Sequence, residues 1–214
     1  MLENGQAEVA KYISEYRANQ NTGSKLRSLT LDTVEYGANE HGEDEAKDSL
    51  HAAAEEGNID TVKSLLERGM DINARNANNE TPLGKAAAEG DVDVVRLLIE
   101  RGAEVDPRDE WGWTPLHESS RHGHLEVSRV LLDHGANMNA RQQNYSTPMH
   151  HSASNGHLEV VKLLLECGAD IHVINYDGQT PYQRALGRGY REIADLLREH
   201  GAGRPRFDWN PFMT

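Results

Sequence analysis

The sequence predicts an all-α solenoid, a stack of helix–turn–helix pairs joined by projecting β-hairpin-like loops. Three observations carry that prediction. Thr81-Pro82, Thr114-Pro115, Thr147-Pro148 and Thr180-Pro181 recur every 33 residues. Gly57, Gly90, Gly123, Gly156 and Gly189 keep the same 33-residue spacing, as do Gly69, Gly102, Gly135, Gly168 and Gly201. Between the glycines, apolar residues fall at helical intervals. A fixed period of this length marks stacked repeats, in which each unit buries its apolar face against its neighbours rather than in one central core.

The copy from Glu110 to Ala140 shows how a unit works. Thr114 offers its hydroxyl to the free N–H groups of a helix start, and Pro115 sits where a missing N–H costs nothing. Leu116, Ser119 and Ser120 then face inward. The small residues recur as Ala53-Ala54, Ala86-Ala87 and Ser152-Ala153, which lets short helices approach closely. Gly123 stops the first helix. A second helix follows, with Leu125, Val127, Val130, Leu131 and Leu132 apolar at helical spacing, and Gly135 stops it. The polar, turn-rich stretch that leads to the next unit reads as a projecting loop.

These residues resemble the ankyrin repeat. The resemblance rests on T-P-L-H at 114–117, T-P-M-H at 147–150, G-H-L-E-V at 123–127 and 156–160, and G-A-D at 168–170, and it covers residues 47–202. It implies a curved stack of helix pairs with finger loops at right angles, used to bind other proteins. It brings no catalytic residue and no cofactor, so the chain is expected not to be an enzyme.

In order along the chain, residues 1–46 read as degenerate or truncated repeat material. Val9, Tyr12 and Ile13 keep an apolar face, and Val34 to Asn39 resemble the end of a second helix. The polar stretch 20–25 and the acidic stretch 40–48 support the competing reading, a disordered leader. Five units follow, at 47–75, 76–108, 109–141, 142–174 and 175–202. In the first, Asp48 and Ser49 stand where Thr-Pro would be. The second has Gly84 where the family has His, and Asn79 in place of the loop glycine, which Asn tolerates because it visits positive φ. The fourth carries Tyr145 at that loop-glycine position, a departure expected to reshape the turn. In the fifth, Arg191 and Arg198 replace Leu158 and Leu165, as a terminal unit with one side in water requires. The tail, 203–214, carries Phe207, Trp209 and Phe212, which read as an end cap or as a docking segment.

Composition narrows the partners. The net charge of −13 disfavours nucleic acid and anionic membrane surfaces, since both are bound by Lys and Arg. A basic or neutral protein is the expected partner, and the chain itself is expected to be a monomer. One cysteine, Cys167, fits a reducing compartment. No apolar leader or membrane-length run appears, so a cytoplasmic location is expected, with a nuclear one as the alternative.

The eleven histidines raise the question of a metal. His117 and His150 share one repeat position, His124 and His157 another. Equivalent residues of adjacent repeats lie about one helix-packing distance apart, roughly 8–10 Å, whereas zinc needs nitrogens near about 2 Å. The histidines therefore read as repeat framework, and no metal is expected. No G-x-S-x-G, P-loop or dinucleotide fingerprint occurs. Asn73 and Asn139 match a position that is hydroxylated in some ankyrin proteins, but a turn residue bonding its own backbone is the simpler reading. The N-x-S/T patterns at Asn79 and Asn144 fall at loop tips and carry no meaning without a secretory route.

Recognition is expected where the units differ, because framework positions repeat for packing alone. Trp111 and Trp113 stand at one loop tip where other units carry Asn78 and Glu80 or Asn144 and Ser146. Tyr145 and Tyr176 continue the aromatic line on neighbouring tips. Trp and Tyr are the residues that most often anchor interfaces. Glu89, Arg121, His122 and Asn155, with Glu56, close the first helices and are expected to add a polar portion to the same concave side. The alternative to partner binding is a structural spacer, or a fragment of a longer array whose own surface is idle.

Overall fold

The computed structural model describes residues 50–203. The readings for 1–46 and for the aromatic tail lie outside these residues. Among them the chain forms helices only. Residues 50–55 are helical (α1). Then come α2 (Ile59–Glu67), α3 (Pro82–Glu89), α4 (Val92–Glu100), α5 (Pro115–His122), α6 (Leu125–Asp133), α7 (Pro148–Asn155), α8 (Leu158–Glu166), α9 (Pro181–Arg188) and α10 (Arg191–Glu199). From α3 on, each odd-numbered helix pairs with the helix after it, and α3, α5, α7 and α9 also pack on one another in order.

The Thr-Pro pairs start the first helices as the sequence requires. Thr81 Oγ1 accepts from Gly84 N at 3.2 Å, and Thr180 Oγ1 from Gln183 N at 3.3 Å. In α5 and α7 a histidine completes the cap from the other side. The Thr114 N–H points at His117 Nδ1 at 3.2 Å, and the Thr147 N–H at His150 Nδ1 at 3.1 Å. These first helices end at left-handed glycines, for example Gly90 at φ 83° and Gly123 at φ 81°. Neither site has room for a Cβ, which at Gly90 would strike the ring of His124 and at Gly123 that of His157. Those two rings sit so close because they bridge repeats. His124 Nε2 lies 2.9 Å from the Ala88 carbonyl, and His157 Nε2 lies 2.8 Å from that of Arg121.

The core repeats with the same period. Leu83, Leu116 and Met149 of the first helices and Leu98, Leu131, Leu164 and Leu197 of the second are fully buried. Burying one such side chain contributes about 1.5–3 kcal/mol, and each is buried against the neighbouring repeat as well as its own. The small positions are buried too, including Ala86, Ala87, Ser119, Ser120, Ser152 and Ala153. Ser119 Oγ meets Ser128 Oγ at 2.9 Å, so that hydroxyl is satisfied. Ser120 Oγ has no partner among the described residues. In the fifth repeat Leu186, at the position of Ala153 and Ser120, is 53 % exposed. Arg191 and Arg198 are exposed as well, as expected of a unit that lacks a following neighbour among the described residues.

The loops between repeats close as tight turns rather than as strand ladders. At each tip the first N–H donates across the turn: Asn76 to Glu80 O, Asp109 to Trp113 O, Gln142 to Ser146 O and Asn175 to Gln179 O, all at 3.0–3.1 Å. A residue in left-handed conformation makes the bend: Asn79 at φ 60°, Gly112 at 79°, Tyr145 at 61° and Gly178 at 72°. The expectation that Tyr145 reshapes its turn is thus overturned. Its turn keeps the backbone hydrogen bonds of the others, with Tyr145 N donating to Gln142 O at 2.9 Å, because the bonds flanking the bend dictate its φ. The side chain is forced into a region that costs an L-residue about 1–2 kcal/mol.

Two stability changes follow. Tyr145→Gly is expected to raise stability by roughly 0.5–1 kcal/mol, since the relief at positive φ exceeds the added freedom of the unfolded chain. Urea unfolding of the two proteins measures it. Ser120→Ala, which removes the buried hydroxyl and installs the residue found at Ala54, Ala87 and Ala153, is expected to be neutral or to stabilise by up to about 1 kcal/mol. A thermal midpoint lowered by several degrees would show that Ser120 has a partner after all.

Candidate functional site

The loop tips are tied edge to edge. Glu110 N donates to Asn78 O at 3.2 Å, Gln143 N to Trp111 O at 2.9 Å, and Tyr176 N to Asn144 O at 2.8 Å. Arginines repeat this link in side-chain form. Arg75 Nη1 donates to Arg108 O at 2.7 Å, and Arg108 Nη1 donates to Arg141 O at 2.7 Å. From this tethered row three aromatic rings emerge: Trp111 is 48 % exposed, Tyr145 51 % and Tyr176 80 %. Asn78 and Asn144 are exposed beside them. Asn144 also shapes its own turn, its Oδ1 accepting from Ser146 N at 2.9 Å.

Trp113 is placed differently. Asp109 Oδ1 accepts from both Trp111 N at 2.9 Å and Trp113 N at 2.7 Å, which folds the chain over Gly112 and turns Trp113 back toward the first helices. Its ring lies 4.4 Å from that of His151 and 5.8 Å from that of His117, with the Arg121 guanidinium 5.3 Å over it. It is half-buried, so it forms a wall between the tips and the helices instead of standing at the tip with Trp111. Glu80 is also half-buried and is bound at 3.5 Å to Lys85, which reaches Glu55 at 3.5 Å as well. Glu56, Glu89, Arg121, His122 and Asn155 are exposed at the ends of the first helices. His122 Nε2 lies 3.8 Å from the Glu118 carboxylate.

The buried histidines tie repeat to repeat. Because a backbone N–H points at Nδ1 of His117, the ring proton is on Nε2, which donates to Ser146 O of the next repeat at 3.2 Å. His150 does the same toward Gln179 O at 3.0 Å, and His51 Nε2 meets Glu80 O at 2.9 Å. Both ring nitrogens of His117 and His150 are therefore occupied by protein groups. Among the described residues no group of three or more His, Cys, Asp or Glu is arranged to hold a metal ion. Burial pushes the His117 and His150 imidazoles down to about 4, and that of His151 down to about 3.

One seam lacks this tie. Gly84 occupies the histidine position of the second repeat, so among the described residues the carbonyl facing it, that of Trp113, receives only the Asp109 N–H. A cavity of about 210 Å³ opens there, walled by Glu80, Lys85, Asp109, Trp113, Glu118 and Arg121. Burial pushes the carboxyls of Asp109 and Glu118 upward, and Glu80 pushes each of them further in the same direction. Gly84 lies within a helix, where glycine costs about 0.5–1 kcal/mol against alanine, and a Cβ there would meet only Thr81 Oγ1 at 3.7 Å.

Several of these features are not evident from composition or helix pattern. Asn73 and Asn139 do not bond their own turns, as the sequence suggests; their Oδ1 atoms accept the backbone N–H of Glu104 and Asp170 in the next repeat, each at 2.9 Å. The arginine staple is visible in hindsight as Arg75, Arg108 and Arg141 at 33-residue spacing. Gly84 is legible as a departure from T-P-L-H, but the cavity it opens requires the facing loop.

A family model described as ankyrin repeats (3 copies) matches residues 50–142 and 136–206. A comparison with curated proteins returns no match. No helix among the described residues is long and apolar enough to cross a membrane.

The buried imidazoles set a pH dependence. Their folded-state pKa values lie below the ordinary value of 6.5, so between about 6.5 and 4 the unfolded chain holds protons that the folded chain does not. Stability is then greatest above about pH 6.5 and falls as pH drops through that window, by on the order of 1 kcal/mol per buried histidine per pH unit. Asp109 and Glu118, raised when folded, act in the opposite sense and soften the fall. Urea unfolding at pH 7.5, 6 and 5 is expected to give steadily lower midpoints. A flat profile would contradict the neutral, buried assignment.

Proposed function

Since the chain belongs to the ankyrin-repeat family, whose repeats are generally protein–protein interaction modules, we propose that it binds another protein through the face formed by its loop tips and first helices. The observation that carries this reading is the row of exposed rings, Trp111, Tyr145 and Tyr176, on tips that backbone hydrogen bonds join to one another. Aromatic rings held this way offer a large contact area with little ordering entropy left to lose on binding. Tyr145 strengthens the point, because its turn would be better served by glycine. Asn78 and Asn144 lie exposed on the same tips, and Glu89, His122 and Asn155 lie exposed at the far ends of the first helices; polar groups of this kind contribute less than buried anchors do. Trp113 and Glu80 belong to the same face as its inner wall. With a net charge of −13, a basic or neutral partner is favoured over nucleic acid, and the mechanism is display on a rigid scaffold rather than catalysis.

Affinity capture from cell lysate with the native chain and with a Trp111→Ala, Tyr176→Ala variant of equal thermal stability tests the proposal. A partner held by the first and lost by the second is the expected result. For that partner Trp111→Ala alone is expected to weaken binding by about 2 kcal/mol or more, roughly thirtyfold. Unchanged affinity removes the tips from the binding surface, and capture of nothing by either protein favours the spacer reading.

A further inference from the structure

The cavity at the seam between the second and third repeats differs from the rest of the binding face in one respect: it is a vacancy in the framework. At three other seams a histidine Nε2 reaches the carbonyl across the seam, that of Glu80, Ser146 or Gln179. Each of those carbonyls also takes a backbone N–H of its own turn, from Asn76, Gln142 or Asn175. Among the described residues the Trp113 carbonyl has the turn bond alone. Gly84 shows no positive φ that would require glycine, so the backbone supplies no reason for the missing side chain. Glycine there lines a cavity of about 210 Å³.

The walls say what fits. Their cations are already engaged: Lys85 with Glu55 and Glu80, Arg108 with the carbonyls of Gly112 and Arg141, and Arg121 over the Trp113 ring. Their acceptors have capacity left. Among the described residues the Trp113 carbonyl takes one donor, and the half-buried Glu118 carboxyl has the exposed His122 ring at 3.8 Å and the Arg121 charge near it. Asp109 uses Oδ1 for two backbone N–H groups. Burial raises the Asp109 and Glu118 carboxyls, Glu80 adds to both and Asp109 to Glu118, while Arg121 and Lys85 oppose the rise at Glu118; a further cation among them would act in the same sense as Arg121.

We propose that this cavity receives an arginine side chain from a partner protein, its guanidinium donating to the Trp113 carbonyl and to the carboxylates of Glu118 and Asp109. Guanidinium suits the site better than ammonium. It stays charged when desolvated, and its planar fork can serve a carbonyl and a carboxylate at once. The partner's arginine thus stands in for the histidine that the second repeat omits. The proposal deepens the reading of the loop-and-helix face as a protein-binding surface and rests on it, but the two fail separately.

The test uses the full chain, labelled with ¹⁵N, and the probe peptide acetyl-Gly-Ala-Arg-Ala-Gly-amide, alongside the same peptide with Lys or Gln at the centre. The Trp113 indole N–H resonance is expected to shift and saturate with the Arg peptide, at least tenfold more weakly with the Gln peptide, and more weakly with the Lys peptide. Gly84→His fills the cavity and restores the missing hydrogen bond, so it is expected to raise the thermal midpoint while abolishing the shift; misfolding cannot then account for the loss. Glu118→Gln leaves the cavity open and is expected to weaken the Arg peptide at least threefold. A Gln peptide that binds as well as the Arg peptide, or a shift that survives Gly84→His, or none up to 10 mM peptide, overturns the proposal. Equal binding of the Lys peptide overturns the choice of guanidinium. The Trp111→Ala, Tyr176→Ala variant is expected to keep the peptide shift, so loss of a captured partner in that variant with no peptide binding in the native chain would sink the cavity and leave the tips in place.

Discussion

A donor on one repeat meeting a backbone carbonyl on the next is the interaction on which this molecule depends. His51, His117 and His150 make it from the first helices, His124 and His157 from the starts of the second, and Arg75 and Arg108 from the loops. A buried carbonyl left without a donor is costly, so each bond matters more for what its loss would expose than for its own strength. The apolar layers of Leu and Val supply the bulk of the burial, but they are much alike from repeat to repeat. The directional bonds are what hold each unit in one register against its neighbour, and they are the reason the loop tips stand in a row.

The same bonds explain why this face can carry recognition. A ring at the tip of an isolated loop would lose much freedom on binding. Here the tip backbone is held on both sides, by its own turn and by the adjacent tip, so Trp111 and Tyr176 project from fixed points. Tyr145 sits in a left-handed conformation that the turn imposes and the side chain resists. Strain of this kind persists where the surroundings over-determine it, and it is commonly found at functional surfaces.

Departures from the repeat are informative in proportion to what they leave unmet. Exchange of Leu for Arg on the fifth repeat leaves nothing unmet, since those positions face water. Gly84 in place of histidine leaves the facing carbonyl with one donor instead of two among the described residues, beside a cavity walled by Glu80, Asp109 and Glu118 and by Lys85, Arg108 and Arg121. The first suits a unit with no following neighbour among the described residues. The second has no such explanation within the stack itself, which is why it points outward, to a ligand.

The amino-acid sequence by itself determined the helix pairs, their Thr-Pro starts and glycine stops, the buried Leu, Val and Ala positions, and the family. Those features are local or periodic, and a 33-residue period written five times is read without coordinates. It also determined that Trp111, Tyr145 and Tyr176 lie on tips, because a turn position is a matter of register. Tertiary structure alone decided where Trp113 points, that Tyr145 keeps the common turn, that Asn73 and Asn139 serve the next repeat, and that Gly84 opens a cavity. Each of these depends on a group about 30 residues away in the chain and one repeat away in space. Sequence periodicity says which residues are equivalent, whereas only the stacked repeats show which atom each one meets.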